Sequence, residues 1–319
     1  MTPHPIPRIP DFCARKAAAV VASEAGPPSF SMSPPLRVSV VISHYNRPAL
    51  LRRAIDTGLA QGDVVAEVIV VDDGSTPPLE AELMQRYAAG GKVEFILSPA
   101  NRGAPHARNV GIDRARHPFI ALLDCDDEWL AGKIERQLRH LLDHGLDICS
   151  TRFDSVGAGG VRRREPRPKY AGDPGRFILN DGGHMQTSTL LMRSETARAV
   201  RFDETLIKFQ DWDFVIRAHA RGFRLGLVDE VLTLYDSGHG EPRMTATLNP
   251  VYAEWFVRAR RDIVTRKVAH IFLMRRVTQM YLQLGNRRES LRCAVRAIAD
   301  FRYLSPFHFL NFIRHFLVD

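Results

Sequence analysis

Three of the four residues Asp124, Cys125, Asp126 and Asp127 are acids, and they follow directly on the apolar run Phe119-Ile120-Ala121-Leu122-Leu123. Carboxylates this close repel one another, so the arrangement is costly unless a cation or a hydrogen-bonded ligand offsets it. A buried strand that delivers carboxylates to its C-terminal end has the form of a metal or nucleotide site. Hard carboxylate oxygens suit Mg²⁺ or Mn²⁺. Cys125, flanked by acids, is a poor nucleophile, because neighbouring negative charge raises a thiol's pKa.

Other polar clusters accompany this one. Asp72-Asp73-Gly74-Ser75 follows the apolar run Val68–Val71, and Ser43-His44-Tyr45-Asn46-Arg47-Pro48 follows Val38–Ile42. Arg108-Asn109 lies inside a helix start running from Asn101 to Ile112. Gln210-Asp211-Trp212-Asp213 opens a second helical pattern with two acids in its first turn, where acids complement the dipole. Tyr235–Arg243 adds His239 and Arg243 on a loop.

The elements that must position these groups can be read from periodicity. Strands at Leu36–Ile42, Glu67–Val71, Val93–Leu97 and Phe119–Leu123 alternate with helices after Pro48, over Pro77–Tyr87 and after Asn101. Asn46 is expected to cap the first of these helices and Pro48 to fill its first turn. Such alternation predicts an α/β fold with a mostly parallel, doubly wound sheet whose ligand crevice lies at the strands' carboxyl ends. The clusters at Tyr45, Asp72-Asp73 and Asp124–Asp127 then share one edge. Val156–Gly175 reads as a flexible connection, and His184–Met192 as strand-like. From Pro250 onward the pattern is helical, with breaks near Gly285-Asn286 and at Pro306.

Residues 1–35, with eight prolines, are expected to form a mobile leader. The chain thus divides into the leader, an α/β domain over 36–249 and a helical region over 250–319. Composition is that of a globular protein, with 45% hydrophobic and 25% charged residues. No apolar run approaches the roughly 20 residues a membrane span needs, and the Ala17–Ala22 stretch is too short for a secretory core. A cytoplasmic location is expected. Four cysteines, Cys13, Cys125, Cys149 and Cys293, show no paired spacing. The net charge of +8 belongs to the tail, where Trp255–Asp319 holds 13 Lys and Arg against 4 Asp and Glu. Basicity confined to one segment points to docking on an acidic surface, including peripheral contact with a membrane through the aromatic, basic stretch Phe301–Leu317.

Taken together, the segments Val38–Arg47, Val70–Ser75, Asn101–Gly111, Leu123–Asp127 and Gln210–Asp213 resemble, in order, the motifs of a family 2 glycosyltransferase with the GT-A nucleotide-sugar fold. The resemblance covers roughly Leu36–Arg243 and implies an inverting transferase using a nucleotide-sugar donor, with uridine as the nucleobase. It implies that Ser43, Tyr45, Asn46, Asp73, Arg108 and Asp124 bind the donor, Tyr45 stacking on the base and Asp73 hydrogen-bonding it. Asp126, Asp127 and His239 would face a divalent cation, with either Asp126 or Asp127 nearer the metal, and Asp211 would be the catalytic base. The usual Glu-Asp pair is here Gln210-Asp211, which removes a charge beside the base and is expected to ease its ionisation. The implied acceptor is a hydroxyl of a glycan or lipid-linked molecule, in cell-surface polysaccharide or lipopolysaccharide synthesis.

Two rivals compete with this reading. A strand ending in Asp-x-Asp is also the nucleophile motif of haloacid-dehalogenase phosphatases, although there it lies near the domain start and is followed by a hydroxyl residue. A pI near 9.6 suggests nucleic-acid binding, but the basic excess lacks interleaved aromatics on a sheet.

Overall fold

The computed structural model describes residues 36–157, 159–163, 168–237, 249–301, 303 and 305–318. The leader, His239 and Arg243 lie outside the described residues. Leu36–Asp319 forms one compact unit.

The first half follows the alternation in the sequence. Strands β1 (Val38–His44), β2 (Val65–Asp72), β3 (Val93–Leu97) and β4 (Phe119–Asp124) are interleaved with helices α1 (Pro48–Leu59), α2 (Ala81–Ala88) and α3 (Ala104–Arg114). They pair in parallel in the order β3-β2-β1-β4. All seven residues of β1 are buried, as a β-branched run covered on both faces should be. Helix α2 starts at Ala81, later than expected, with Pro77 and Pro78 left in the preceding turn.

The second half departs from a purely parallel sheet. A short β5 (Glu128–Trp129) precedes α4 (Lys133–Asp143) and the long β6 (Ile148–Gly157), which folds back through β7 (Gly160–Arg162). This hairpin takes up the start of the expected flexible connection over Val156–Gly175, of which 158 and 164–167 lie outside the described residues. Helix α5 (Pro174–Leu179) follows, capped by the Asp173 side chain. In the His184–Met192 stretch only Leu191 and Met192 enter a strand, β8 (Leu191–Arg193), because Thr187–Thr189 coils into a 3₁₀ turn. β8 runs antiparallel to both β4 and β6. After α6 (Ser194–Val200) and α7 (Gln210–Ala220), β9 (Leu225–Asp236) pairs in parallel with β6 and antiparallel with β5.

Apolar side chains fill both faces of the sheet. Val40 and Ile42 of β1 pack with Leu51 and Ile55 of α1 and with Ile134 and Leu138 of α4. Val41 and Leu122 pack on the other side against Ala107 and Ile112 of α3 and Phe214 and Val215 of α7. The chain ends in helices α8 (Pro250–Ala259), α9 (Arg266–Phe272), α10 (Thr278–Gln283), α11 (Arg287–Phe301) and α12 (Pro306–Val318), with a π turn at Leu273–Val277. Breaks fall at Gly285-Asn286 and before Pro306, as the sequence indicates. These helices share a third core, which also takes in Ile216 of α7.

Candidate functional site

Strand register brings the polar clusters together. Ser43 sits opposite Asp124 across β1 and β4, and His44 opposite Asp72 across β1 and β2. The C-terminal edge therefore carries Tyr45, Asp73 and the acids after β4 side by side. Tyr45 follows β1 there as an exposed residue.

The β1 and β2 turns are knitted together next to that residue. The Nδ1 of His44 lies 2.7 Å from an Asp72 oxygen, while its Nε2 accepts from the Arg47 amide at 3.1 Å. One ring nitrogen accepts a backbone N–H, so the other carries the proton that Asp72 receives. Asn46 adopts the left-handed region, φ 53°, and its side-chain oxygen accepts from the Thr76 amide at 2.8 Å. Asn46 braces this turn and does not cap α1. Arg47 occupies the cap position without a side-chain bond, and Pro48 opens the helix as expected. Asp73 is buried, accepting from the Arg102 and Gly103 amides at 3.0 and 2.6 Å. It thereby holds the loop that leads into α3.

The three acids after β4 have different environments. Asp124 receives the Ser43 hydroxyl at 3.2 Å and Arg108 Nη2 at 2.6 Å. Asp126 pairs with Arg47 Nη1 at 2.7 Å. Both carboxylates keep an open side toward the edge, at 24% and 19% side-chain exposure. Asp127 turns inward and is fully buried, accepting from Ser188 Oγ at 2.5 Å and from the Asp236 amide at 3.0 Å. Burial, with Asp126 and Asp124 close by, pushes the Asp127 carboxyl well above its ordinary value. Burial comes first for Cys125 as well, followed by Asp126 and Asp124, and together they push its thiol far up.

Across the crevice, Asp211 lies in the first turn of α7 and accepts from the Trp212 amide at 2.9 Å. Burial pushes its carboxyl up to about 6, against the opposing pull of the Trp212 amide and Arg108. Gln210 places no second carboxylate beside Asp211, and burial is the largest influence on its ionisation. Arg108 joins the two halves of the site, donating Nη1 to Gln210 Oε1 at 2.8 Å and Nη2 to Asp124 at 2.6 Å. It is buried, with its guanidinium 5.2 Å from the centre of the Phe202 ring, so it is not a surface ion pair.

The sequence reading missed several supporting residues. Arg53 donates to the Asp126 carbonyl at 3.1 Å and lies 3.5 Å from an Asp236 oxygen. Ser188, besides binding Asp127, accepts from the Asp124 amide at 2.9 Å. Only the recurrence of Arg47 and Arg53 on α1's opening turns hinted at two cations near the acids. Ser188 and Asp236 lie 61 and 109 positions from Asp127, beyond any local pattern.

The chain matches the profile of glycosyl transferase family 2 over residues 39–203. It is 32% identical over 208 residues to the amylovoran biosynthesis glycosyltransferase AmsB of Erwinia amylovora, a match covering 62% of this chain and 68% of AmsB. It is 36% identical over 137 residues to the succinoglycan biosynthesis protein ExoO of Rhizobium meliloti, covering 42% and 37% of the two chains. Its fold is similar to that of S. aureus TarS crystallised with UDP-GlcNAc, with a TM-score of 0.57 at 20% identity over 83% of this chain and 80% of that one.

Proposed function

The chain belongs to glycosyl transferase family 2, and on that footing we propose an inverting transferase that moves a sugar from a uridine diphosphate donor to a hydroxyl of a glycan or lipid-linked acceptor. Membership sets aside the phosphatase reading of the acid-tipped strand. One observation carries the mechanism: the Arg108 bridge that holds Asp124, at the strand end, against Gln210, the neighbour of Asp211.

In this reading Asp211 accepts the proton of the acceptor hydroxyl as that oxygen attacks the anomeric carbon. The bond from that carbon to the nucleoside diphosphate breaks on the opposite side, and the diphosphate leaves with the electron pair. A carboxyl near pKa 6 is ionised at neutral pH yet basic enough to hold the proton it takes. Tyr45 stacks on the base, Asp73 fixes the loop beside it, and Ser43, Asn46 and Asp124 shape the ribose end. Arg47 and Arg108 stand where charge accumulates on the leaving phosphates.

A divalent cation fits the donor chemistry of this edge. Among the described residues no cluster of three or more His, Cys, Asp or Glu could hold a metal, but Asp124 and Asp126 offer two partly open hard carboxylates. Mg²⁺ is held this way in nucleotide enzymes, by one or two carboxylates with phosphates completing the set. We assign the main ligand role to Asp126, because it reaches the surface beside its Arg47 partner whereas Asp127 is fully buried. When bound, the ion offsets negative charge on the diphosphate. Similarity to an amylovoran biosynthesis glycosyltransferase and to a succinoglycan biosynthesis protein supports an acceptor in surface-polysaccharide synthesis.

The test pairs two variants with UDP-sugars and Mn²⁺. Asp211→Asn should lose transfer by at least about 10²-fold, the lower range for general base catalysis, while still binding donor in a thermal-shift titration. Asp126→Ala should weaken both. Full turnover by Asp211→Asn refutes the assignment.

A further inference from the structure

The described residues expose twelve large apolar side chains, and five of them, Leu284, Leu291, Val295, Phe307 and Leu310, fall in the stretch spanning α10's end, α11 and α12. These five follow one another closely along the chain, and the two helices that carry most of them meet where the Arg287 guanidinium lies 4.9 Å from the centre of the Phe316 ring, unlike single apolar residues scattered over an ordinary surface. The two long helices each bury one side in the shared helical core, α11 through Cys293, Ala294 and Ala297 and α12 through Phe312. Packing of α12 on its neighbours is therefore satisfied without Phe307 and Leu310, which remain 73% and 65% exposed. On α11, Leu291 and Val295 are likewise 46% and 59% exposed.

Charge separates the possible occupants. Arg288, Leu291, Arg292 and Val295 recur on one side of α11, and Phe307, Leu310 and Arg314 on one side of α12, so cations border the apolar residues at helical spacing. Glu289 is matched by Arg292 and Asp300 by Arg258, so the cations presented outward are the exposed Arg288 and Arg314. A second copy of the same surface would bring arginine against arginine. A polyanionic surface with an apolar interior has the complementary character, and no helix among the described residues is long and apolar enough to cross a membrane. We propose that the outer side of α11 and α12 docks on an anionic lipid surface, with Phe307 and Leu310 entering the headgroup boundary and the arginines meeting lipid phosphates. This does not depend on the donor chemistry proposed above, but it would carry the active edge to a lipid-linked acceptor.

The experiment is flotation of the full chain with vesicles of phosphatidylcholine, alone or mixed with phosphatidylglycerol, with light scattering run in parallel. The chain should float with the mixed vesicles and not with the neutral ones, and less so as salt is raised. Phe307→Asp/Leu310→Asp should abolish flotation while leaving the melting temperature and soluble-acceptor transfer unchanged. Arg288→Gln/Arg314→Gln should weaken partition about 30-fold, at roughly fivefold for each basic residue near an anionic surface. Equal behaviour on both vesicle types overturns the proposal. So does a dimer in solution that the Phe307→Asp/Leu310→Asp variant converts to monomer.

Discussion

Asp211 and Asp213 stand two positions apart on the same turn of α7 and have opposite roles. Asp213 is fully buried between Arg217 and Arg260, at 2.6 and 2.5 Å, whereas Asp211 is left with a backbone amide and a carboxyl pushed up to about 6 by burial. Two measurements follow from that value. The rate of transfer should fall about tenfold per unit as pH drops below 6, because the base must be ionised. Gln210→Glu should move this acid limb upward by up to about one unit, since a second carboxylate on Arg108 would compete for its charge. An unmoved pH profile would show that Gln210 only fills space. Stability should respond in the opposite sense. The folded state holds a proton on Asp211 more tightly than the unfolded chain, whose ordinary value is 3.8. The stabilising contribution is therefore complete below that value and lost as pH rises through about 6. Asp211→Asn should then be more stable than the parent by about 2–3 kcal/mol at neutral pH, with the difference gone below pH 4. Urea titrations at the two pH values read it directly. Asp124, Asp126, Asp211 and Arg108 were legible because strand ends and helix starts announce themselves in sequence. The inward turn of Asp127 was not, since it depends on Ser188 and the end of β9.

Helix α3 shows how an element places a side chain. A Cβ on Gly111 would come within 2.2 Å of Val41 Cγ1, so glycine allows the helix to lie directly on β1. That close approach sets the depth at which Arg108, one turn earlier, reaches both Asp124 and Gln210. Gly111→Ala should cost about 1–3 kcal/mol from overpacking and lower turnover more than donor affinity, because the bridge to α7 lengthens. A variant with parental turnover would show that Arg108 finds its partners independently of helix depth. The glycine's place after Ala-Arg-Asn was visible in sequence, but its contact with Val41 was not. The first four strands were equally visible, β1, β2 and β4 as β-branched or aliphatic runs buried almost throughout and β3 as a shorter, half-buried run. β6 and β9 were not read, because Ser150, Thr151, Arg152 and Asp154 on one, and Asp229 and Glu230 on the other, interrupt any apolar run. The antiparallel direction of β8 is a property of the path between strands, which local periodicity does not encode.

Across the whole molecule, the helical region is tied to α7 by a shared apolar core that takes in Ile216 and Trp212 and, at its polar end, by Arg260. Arg260, at the end of α8, donates Nε to Asp213 at 2.5 Å and Nη2 to Asp203 at 2.7 Å. Asp213 is inaccessible to water, so its charge depends on Arg217 and Arg260 together. Removing one partner of a buried pair typically costs about 3–5 kcal/mol. With Arg217 still in place, Arg260→Met should fall at the lower end, near 3 kcal/mol, and lower the melting temperature by several degrees. Asp211, the proposed base, rides on the same turn, so turnover should fall together with stability, while binding of the proposed donor at the ends of β1, β2 and β4 is kept. The double variant Arg260→Met/Asp213→Asn removes the carboxylate that Arg260 would leave behind and should regain part of the lost stability, with Arg217 keeping its bonds to the Val200 and Arg201 carbonyls. If the single variant melts and turns over like the parent, the helices after residue 250 are a passive appendage. If it loses both and the double variant recovers stability without turnover, their packing holds Asp211, the proposed base, in register with the acids after β4.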